Sequence, residues 1–174
     1  MILNAQQIIE AHKKGDIVIE PFDEGQVQAA TYDLRVGEQG ATTSTKKIVD
    51  IKDTGYLLVQ PGDFAILVVL EELHLGPRYA GRFGLRSKYA RKGIIATTGP
   101  QVDPGFRGRL MLGLTNLTPK PISIPYKDDF VSIDSTVWSK PPQSHTMDPT
   151  RGNSVLVRKK LKQSPKLKGW PSLR

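Results

Sequence analysis

The sequence predicts an all-β protein: a barrel or sandwich of short strands with one helix at its N-terminus. Three observations carry that expectation. Apolar residues alternate, as in Tyr32-Asp33-Leu34-Arg35-Val36, or form short continuous runs, as in Phe64-Ala65-Ile66-Leu67-Val68-Val69-Leu70; these are strand patterns. The runs are interrupted by turn formers, and the chain contains 16 glycines and 13 prolines, residues that punctuate regular structure. Only residues 4–14 have helical character, and many short strands with one helix fit a barrel or sandwich.

Taken in order, Asn4 can cap that helix, with Gln7 three residues on in a near capping box. Leu3 and Ile8 occupy the hydrophobic-staple positions, and Gly15 is the stop. The apolar stripe of Ile8, Ile9 and Ala11 is narrow, so the helix is expected to lie on the body as a flap, with His12 at the surface. Ile17-Val18-Ile19 and Tyr32–Val36 read as strands. Residues 37–47, rich in Gly, Thr, Ser and Lys, read as an exposed hairpin loop. Ile48–Ile51 and Tyr56–Val59 flank a turn at Thr54-Gly55, and Gln60-Pro61-Gly62-Asp63 is another turn. Phe64–Leu70 is apolar enough to be buried on both faces. Glu71–Pro77 reads as a loop or short helical turn containing His74. Ile122–Pro125 and Phe130–Asp134 supply late strands.

A chain of 174 residues is long enough for one domain with a proper core. No apolar run is long enough to span a membrane and no signal peptide is visible, so a cytoplasmic location is expected. With no cysteine there is neither a disulfide nor a thiolate metal site, and zinc deaminase chemistry, which needs cysteine ligands, is excluded. The net charge of +8 draws anions. It is concentrated at the end: no acidic residue follows Asp148, whereas Arg151, Arg158, Lys159, Lys160, Lys162, Lys166, Lys168 and Arg174 do. The expected organisation is a β domain over 1–145 and a basic C-terminal arm over 146–174.

Chemistry is concentrated between Arg86 and Asn116. Arg86 and Arg91 bracket the hydroxyl of Ser87, and arginine forks match phosphate oxygens. Asp103 lies between the turns Gly99-Pro100 and Pro104-Gly105, where a carboxylate can face a ligand and accept a proton from water. This combination suggests a phosphate-ester or phosphoanhydride site.

The order of these residues resembles the trimeric dUTPase and dCTP deaminase superfamily. Arg86-Ser87-Lys88-Tyr89-Ala90-Arg91 resembles its Arg-Ser-(Gly/Ser)-Leu-Ala motif, and Val102-Asp103-Pro104-Gly105-Phe106-Arg107-Gly108 its Ile-Asp-x-x-aromatic-x-Gly motif. Ala30-Thr31-Tyr32-Asp33-Leu34 resembles its (Ala/Ser)-x-Tyr-Asp-Leu motif, and the N-terminus through Phe22 is similar to the deaminase branch. The resemblance implies a distorted jelly-roll β-barrel assembled as a homotrimer with active sites between subunits. It implies substrate binding by Arg86, Ser87, Lys88, Arg91, Gln101 and Phe106, whose ring would pack on the deoxyribose and exclude a 2′-hydroxyl. It also implies Mg2+, held chiefly by the triphosphate and through water by Asp33.

The two branches differ at one strand. The deaminase branch carries a proton-shuttling glutamate after the aspartate motif, at the position of Gly113 in Leu110-Met111-Leu112-Gly113-Leu114-Thr115-Asn116. No Asp or Glu lies between Pro104 and Lys127 to replace it. The expected reaction is therefore magnesium-dependent hydrolysis of a pyrimidine deoxynucleoside triphosphate, dUTP to dUMP and pyrophosphate, by water that Asp103 activates. The alternatives are dCTP deamination to dUTP and ammonia, or a relative with little or no catalysis that binds nucleotide or nucleic acid. Two departures favour the last. Asp134 stands where the family has a phosphate-touching glutamine, and only Arg151-Gly152-Asn153-Ser154 resembles the start of the dUTPase C-terminal arm. The basic tail could then hold phosphates or nucleic acid.

Overall fold

The computed structural model describes residues 1–139. The 145/146 boundary and the basic arm lie outside the described residues.

The chain runs α1 (Ala5–Lys14), β1 (Ile17–Glu20), β2 (Tyr32–Thr42), β3 (Ile48–Asp50), α2 (Ile51–Thr54), β4 (Tyr56–Val59), β5 (Phe64–Val69) and β6 (Glu72–Leu75). It continues with β7 (Tyr79–Leu85), α3 (Ser87–Ala90), β8 (Ile94–Ala96), β9 (Gln101–Val102), β10 (Arg107–Gly108), β11 (Met111–Asn116), β12 (Ile122–Pro125) and β13 (Asp129–Val137). The expected mainly-β architecture is therefore present. The main sheet has the order β8-β11-β5-β2-β13-β7-β9, with β3 added to β2; β1-β6-β10 and β12-β4 form two smaller sheets. Every strand pair is antiparallel.

The strand β2 joins the two halves of the main sheet. Its first half pairs with β13 and its second with β5, with a register shift between Val36 and Gly40. Gly37 sits at that bend. A Cβ there would lie 2.5 Å from the Val68 carbonyl oxygen and 2.7 Å from that of Val69, so only glycine lets β5 pass this close. The core lies inside the curved sheet. Tyr32, Leu34, Leu67, Leu112 and Phe130 are fully buried, and Ile8, Ala11 and Leu3 tie the helix to the same cluster.

The helix forms as its sequence predicts. The Asn4 side chain accepts from the Gln7 N–H and the Gln7 side chain accepts from the Asn4 N–H, both at 3.0 Å. Gly15 ends it at φ 76°. His12 stacks on Phe22 with ring centroids 4.0 Å apart.

Three expectations need correction. Residues 37–42 are not loop but the second half of β2, with Ala41 and Thr42 buried. Small and hydroxylated residues there accommodate a neighbouring backbone. Residues 72–75 are a strand, not a loop or helical turn: Leu73 and Leu75 point inward and Glu72 and His74 outward, a period of two visible over only four residues. The strand β5 is buried on one face only; Ala65, Leu67 and Val69 are buried, while Phe64, Ile66 and Val68 are half-buried on the other.

Candidate functional site

The corner between β7 and β8 carries the first cluster of expected site residues, and most of their charges are used inside the fold. Asp33, on β2, is only 1% exposed; one oxygen pairs with Arg86 Nη1 and the other accepts from Ser132 Oγ at 2.6 Å. Lys88 Nζ pairs with Asp128 Oδ1 at 2.6 Å, and the Tyr89 hydroxyl donates to Asp128 Oδ2. Burial pushes the Asp128 carboxyl up, but the Lys88 and Tyr89 hydrogen bonds outweigh it and hold the group below the usual range. Burial and Asp128 together raise the Tyr89 phenol far above its ordinary value. Ser87 and Arg91 are exposed, and among the described residues no side-chain partner holds either of them.

The second cluster lies on β9 and the turn after it. Gln101 Nε2 donates to Asp103 Oδ1 at 2.9 Å, and both residues are exposed. The turn closes through Phe106 N–H to the Asp103 carbonyl at 3.2 Å, with Gly105 at φ 78°. Phe106 is half-buried and packs against the core cluster, so within the chain it acts as a plug.

The main sheet places both clusters on one face but not side by side. Asp33 stands opposite Ser132, Ser132 opposite Gly84, and Asp134 opposite Arg82, which in turn stands opposite Gln101. Asp33 on β2 and Gln101 on β9 are thus three strand spacings apart and two residues out of step along the strands, roughly 16 Å within the sheet. Between them Asp134 Oδ1 is buried without a hydrogen-bond partner among the described residues. At the glutamine position of the family pattern, it adds a buried acceptor instead of an amide.

The described residues offer no ready-made cage for magnesium. Both oxygens of Asp33 are engaged by Arg86 and Ser132, and the described residues contain no group of three or more His, Cys, Asp or Glu placed to hold a metal ion.

At Gly113 the structure supplies a local reason for glycine. The Gly113 N–H donates to Thr98 Oγ1, the Thr97 N–H donates to the Gly113 carbonyl at 2.8 Å, and a Cβ on Gly113 would lie 2.5 Å from Thr97 Oγ1. The sequence did not single out these two hydroxyls, nor Ser132 and Asp128. An exposed Thr-Thr pair leading into Gln101 and Asp103 was the available signal for the hydroxyls. For Ser132 and Asp128 there was none, because their partners lie 99 and 39–40 residues away.

Comparison with known proteins settles the branch at family level. A family model described as dCTP deaminase-like matches residues 2–129. A dCTP deaminase from Pyrococcus horikoshii is 34% identical over 148 residues, 85% of this chain and 93% of that protein. One from Thermococcus kodakarensis is 38% identical over 138 residues, 79% of this chain and 84% of that protein. The crystal structure of 2′-deoxycytidine 5′-triphosphate deaminase from Agrobacterium tumefaciens shares the fold with a TM-score of 0.66 at 20% identity, covering 79% of this chain; the match spans 48%, about half, of that longer chain. These likenesses overturn the expectation of dUTP hydrolysis by Asp103-activated water, and with it the dUTP diphosphatase assignment: the curated relatives carry the name dCTP deaminase. The small size of Gly113 suits the threonine hydroxyls packed over it. From its N-terminal helix through the aspartate turn to β12, the chain belongs to the dCTP deaminase-like family.

Proposed function

We propose that the protein binds dCTP and deaminates it hydrolytically. Water adds at C4 of the cytosine ring, N3 takes up a proton, and the 4-amino group leaves as ammonia while the C4 carbonyl forms. The observation that carries this reading is that the family match spans every candidate residue, from Asp33 to Gly113. Ser87 and Arg91, exposed and with no side-chain partner among the described residues, are the groups assigned to the phosphates. Gln101, Asp103 and Phe106 line the turn that faces the sugar and base. Arg86 and Lys88 shape the corner through Asp33 and Asp128.

A homotrimer with sites between subunits belongs to the same proposal. Two observations support it. The face of β8, β11 and β5 leaves Ile95 50% and Met111 42% exposed beside the half-buried Ile66 and Val68. The roughly 16 Å between Asp33 and Gln101 also suits a nucleotide that takes its phosphate contacts from one subunit and its base contacts from another. Light scattering should return three times the 19.3 kDa chain mass. Work on cytoplasmic nucleotide pools follows from the substrate.

Gly113 favours a second reading, in which dCTP binds and turns over slowly or not at all, because no side chain at that position can carry a proton. The test is ammonia release from dCTP, with calorimetric binding of dCTP measured in parallel. Ammonia in stoichiometric yield supports deamination. Binding without ammonia selects the second reading, and absence of binding overturns both.

A further inference from the structure

Thr97 and Thr98 leave β8 and cross over the middle of β11, where they meet Gly113. A Cβ on Gly113 would lie 2.5 Å from Thr97 Oγ1, 3.2 Å from Thr98 Oγ1 and 3.1 Å from the edge of the Phe64 ring. The two hydroxyls therefore fill the space a side chain would need. The Thr98 hydroxyl is held by the Gly113 N–H, which donates to Thr98 Oγ1, and the Thr97 backbone by its own N–H, which donates to the Gly113 carbonyl. Both threonines are nonetheless exposed, and they lead directly into Gln101 and Asp103.

A hydroxyl has one proton to donate and two lone pairs to accept with, and it rotates to suit its partner. Thr98 Oγ1 uses one lone pair on the Gly113 N–H, which leaves its proton and a second lone pair. Thr97 Oγ1 makes no hydrogen bond among the described residues and keeps its full capacity. A carboxylate in the same space would be acceptor-only. It would favour a ring amine and repel a ring carbonyl.

We infer that Thr97 and Thr98, seated over Gly113, are the base-reading pair of this site, and that they accept 4-amino and 4-oxo pyrimidine deoxynucleoside triphosphates alike. This rests on the proposed nucleotide site and deepens it by naming what sets its selectivity. The pair accepts from the 4-amino group in one rotamer and donates to the 4-carbonyl in another. The product of deamination is then held about as firmly as the substrate.

The experiment is isothermal titration of the full chain with dCTP and with dUTP, for the wild type and for Thr98→Val, Thr98→Ser and Thr97→Val, each checked by thermal melting. In the wild type the two dissociation constants are expected within about threefold of each other. Thr98→Val should weaken both by about five- to tenfold, the loss of one hydrogen bond, and Thr98→Ser should restore them. Thr97→Val has no internal hydrogen bond to lose, so its melting temperature should stay put while both nucleotides bind more weakly. A preference of twentyfold or more for one base overturns the inference, as does unchanged binding in both valine variants; either result leaves the nucleotide site standing. A wild type that binds neither nucleotide removes the site and the inference together.

Discussion

The α3 corner and the Thr97–Asp103 segment follow each other in the chain but use polar side chains in opposite ways. At the corner, Arg86 is paired to a buried Asp33 and Lys88 to Asp128, so charges that resemble a phosphate cradle hold β2, β7 and β13 together. Along Thr97–Asp103 the polar groups are exposed and linked mainly to one another or to the backbone of β11. Matching a motif does not say whether a residue faces its ligand or its own fold. The partner list does, and it divides the site into residues whose loss should unfold the protein and residues whose loss should only empty it.

The largest test of that division is Asp33→Ala. It strips Arg86 and Ser132 of their shared acceptor and leaves a part-buried cation unpaired, which should cost about 3 kcal/mol in urea unfolding. A stability within error of the wild type would mean that the pair is ornamental. Next comes Arg91→Ala. The Arg91 side chain has no partner among the described residues, so stability should change by less than ~0.5 kcal/mol while dCTP affinity falls about tenfold, the scale of one charge-assisted contact. The reverse pattern would place Arg91 in the fold and not in the site. Gly113→Ala is smaller: the added methyl must displace the Thr97 hydroxyl, an exposed side chain able to swing away, for about 1 kcal/mol, read as a lowered melting temperature. No change would show that the threonines do not close over β11.

Acid provides the gentlest probe. Asp63 is buried, which raises its pKa, but hydrogen bonds from Thr43, Ser44 and Gln60 more than offset this and hold it low; Asp128 is held low by Lys88 and Tyr89 against the same burial. A carboxyl depressed in the folded state contributes stability above its unfolded pKa of about 3.9 and loses it as pH falls through the folded value. Glu71 runs the other way: burial raises it despite Arg35, so its contribution is present below about 4.3 and is lost as pH rises through the folded value. Urea midpoints from pH 6 down to pH 3 should therefore decline, and Asp63→Asn should flatten the slope. An unchanged slope would show that Asp63 titrates normally.

Local features were the legible part of the sequence. The cap at Asn4 and the stop at Gly15 follow from chemistry within a few residues, and the structure has both; Tyr32–Val36 is strand as its pattern suggested, but its burial does not alternate, because Asp33 is buried with Tyr32 and Leu34. The length of β2 was hidden because Gly37 and Gly40 look like turn residues, when they are places where another backbone or side chain comes close. The site was legible as a set of residues and illegible as a circuit. Nothing near Asp33 in sequence announces Ser132, and nothing near Lys88 announces Asp128. The meaning of Gly113 was the hardest to read, since a missing side chain looks the same whether it marks another chemistry or makes room for a neighbour.

The strand β2 also sets a timetable for the nascent chain. It leaves the ribosome early, yet one of its flanking strands, β13, comes about a hundred residues later. At roughly 5–20 residues per second that is a wait of about 5–20 s with an open edge of unpaired amides and carbonyls. Such edges recruit other strands. A message cut short before Asp129 would therefore release a chain whose central strand is only half paired, and that chain should be found in aggregates, not as a shorter soluble protein.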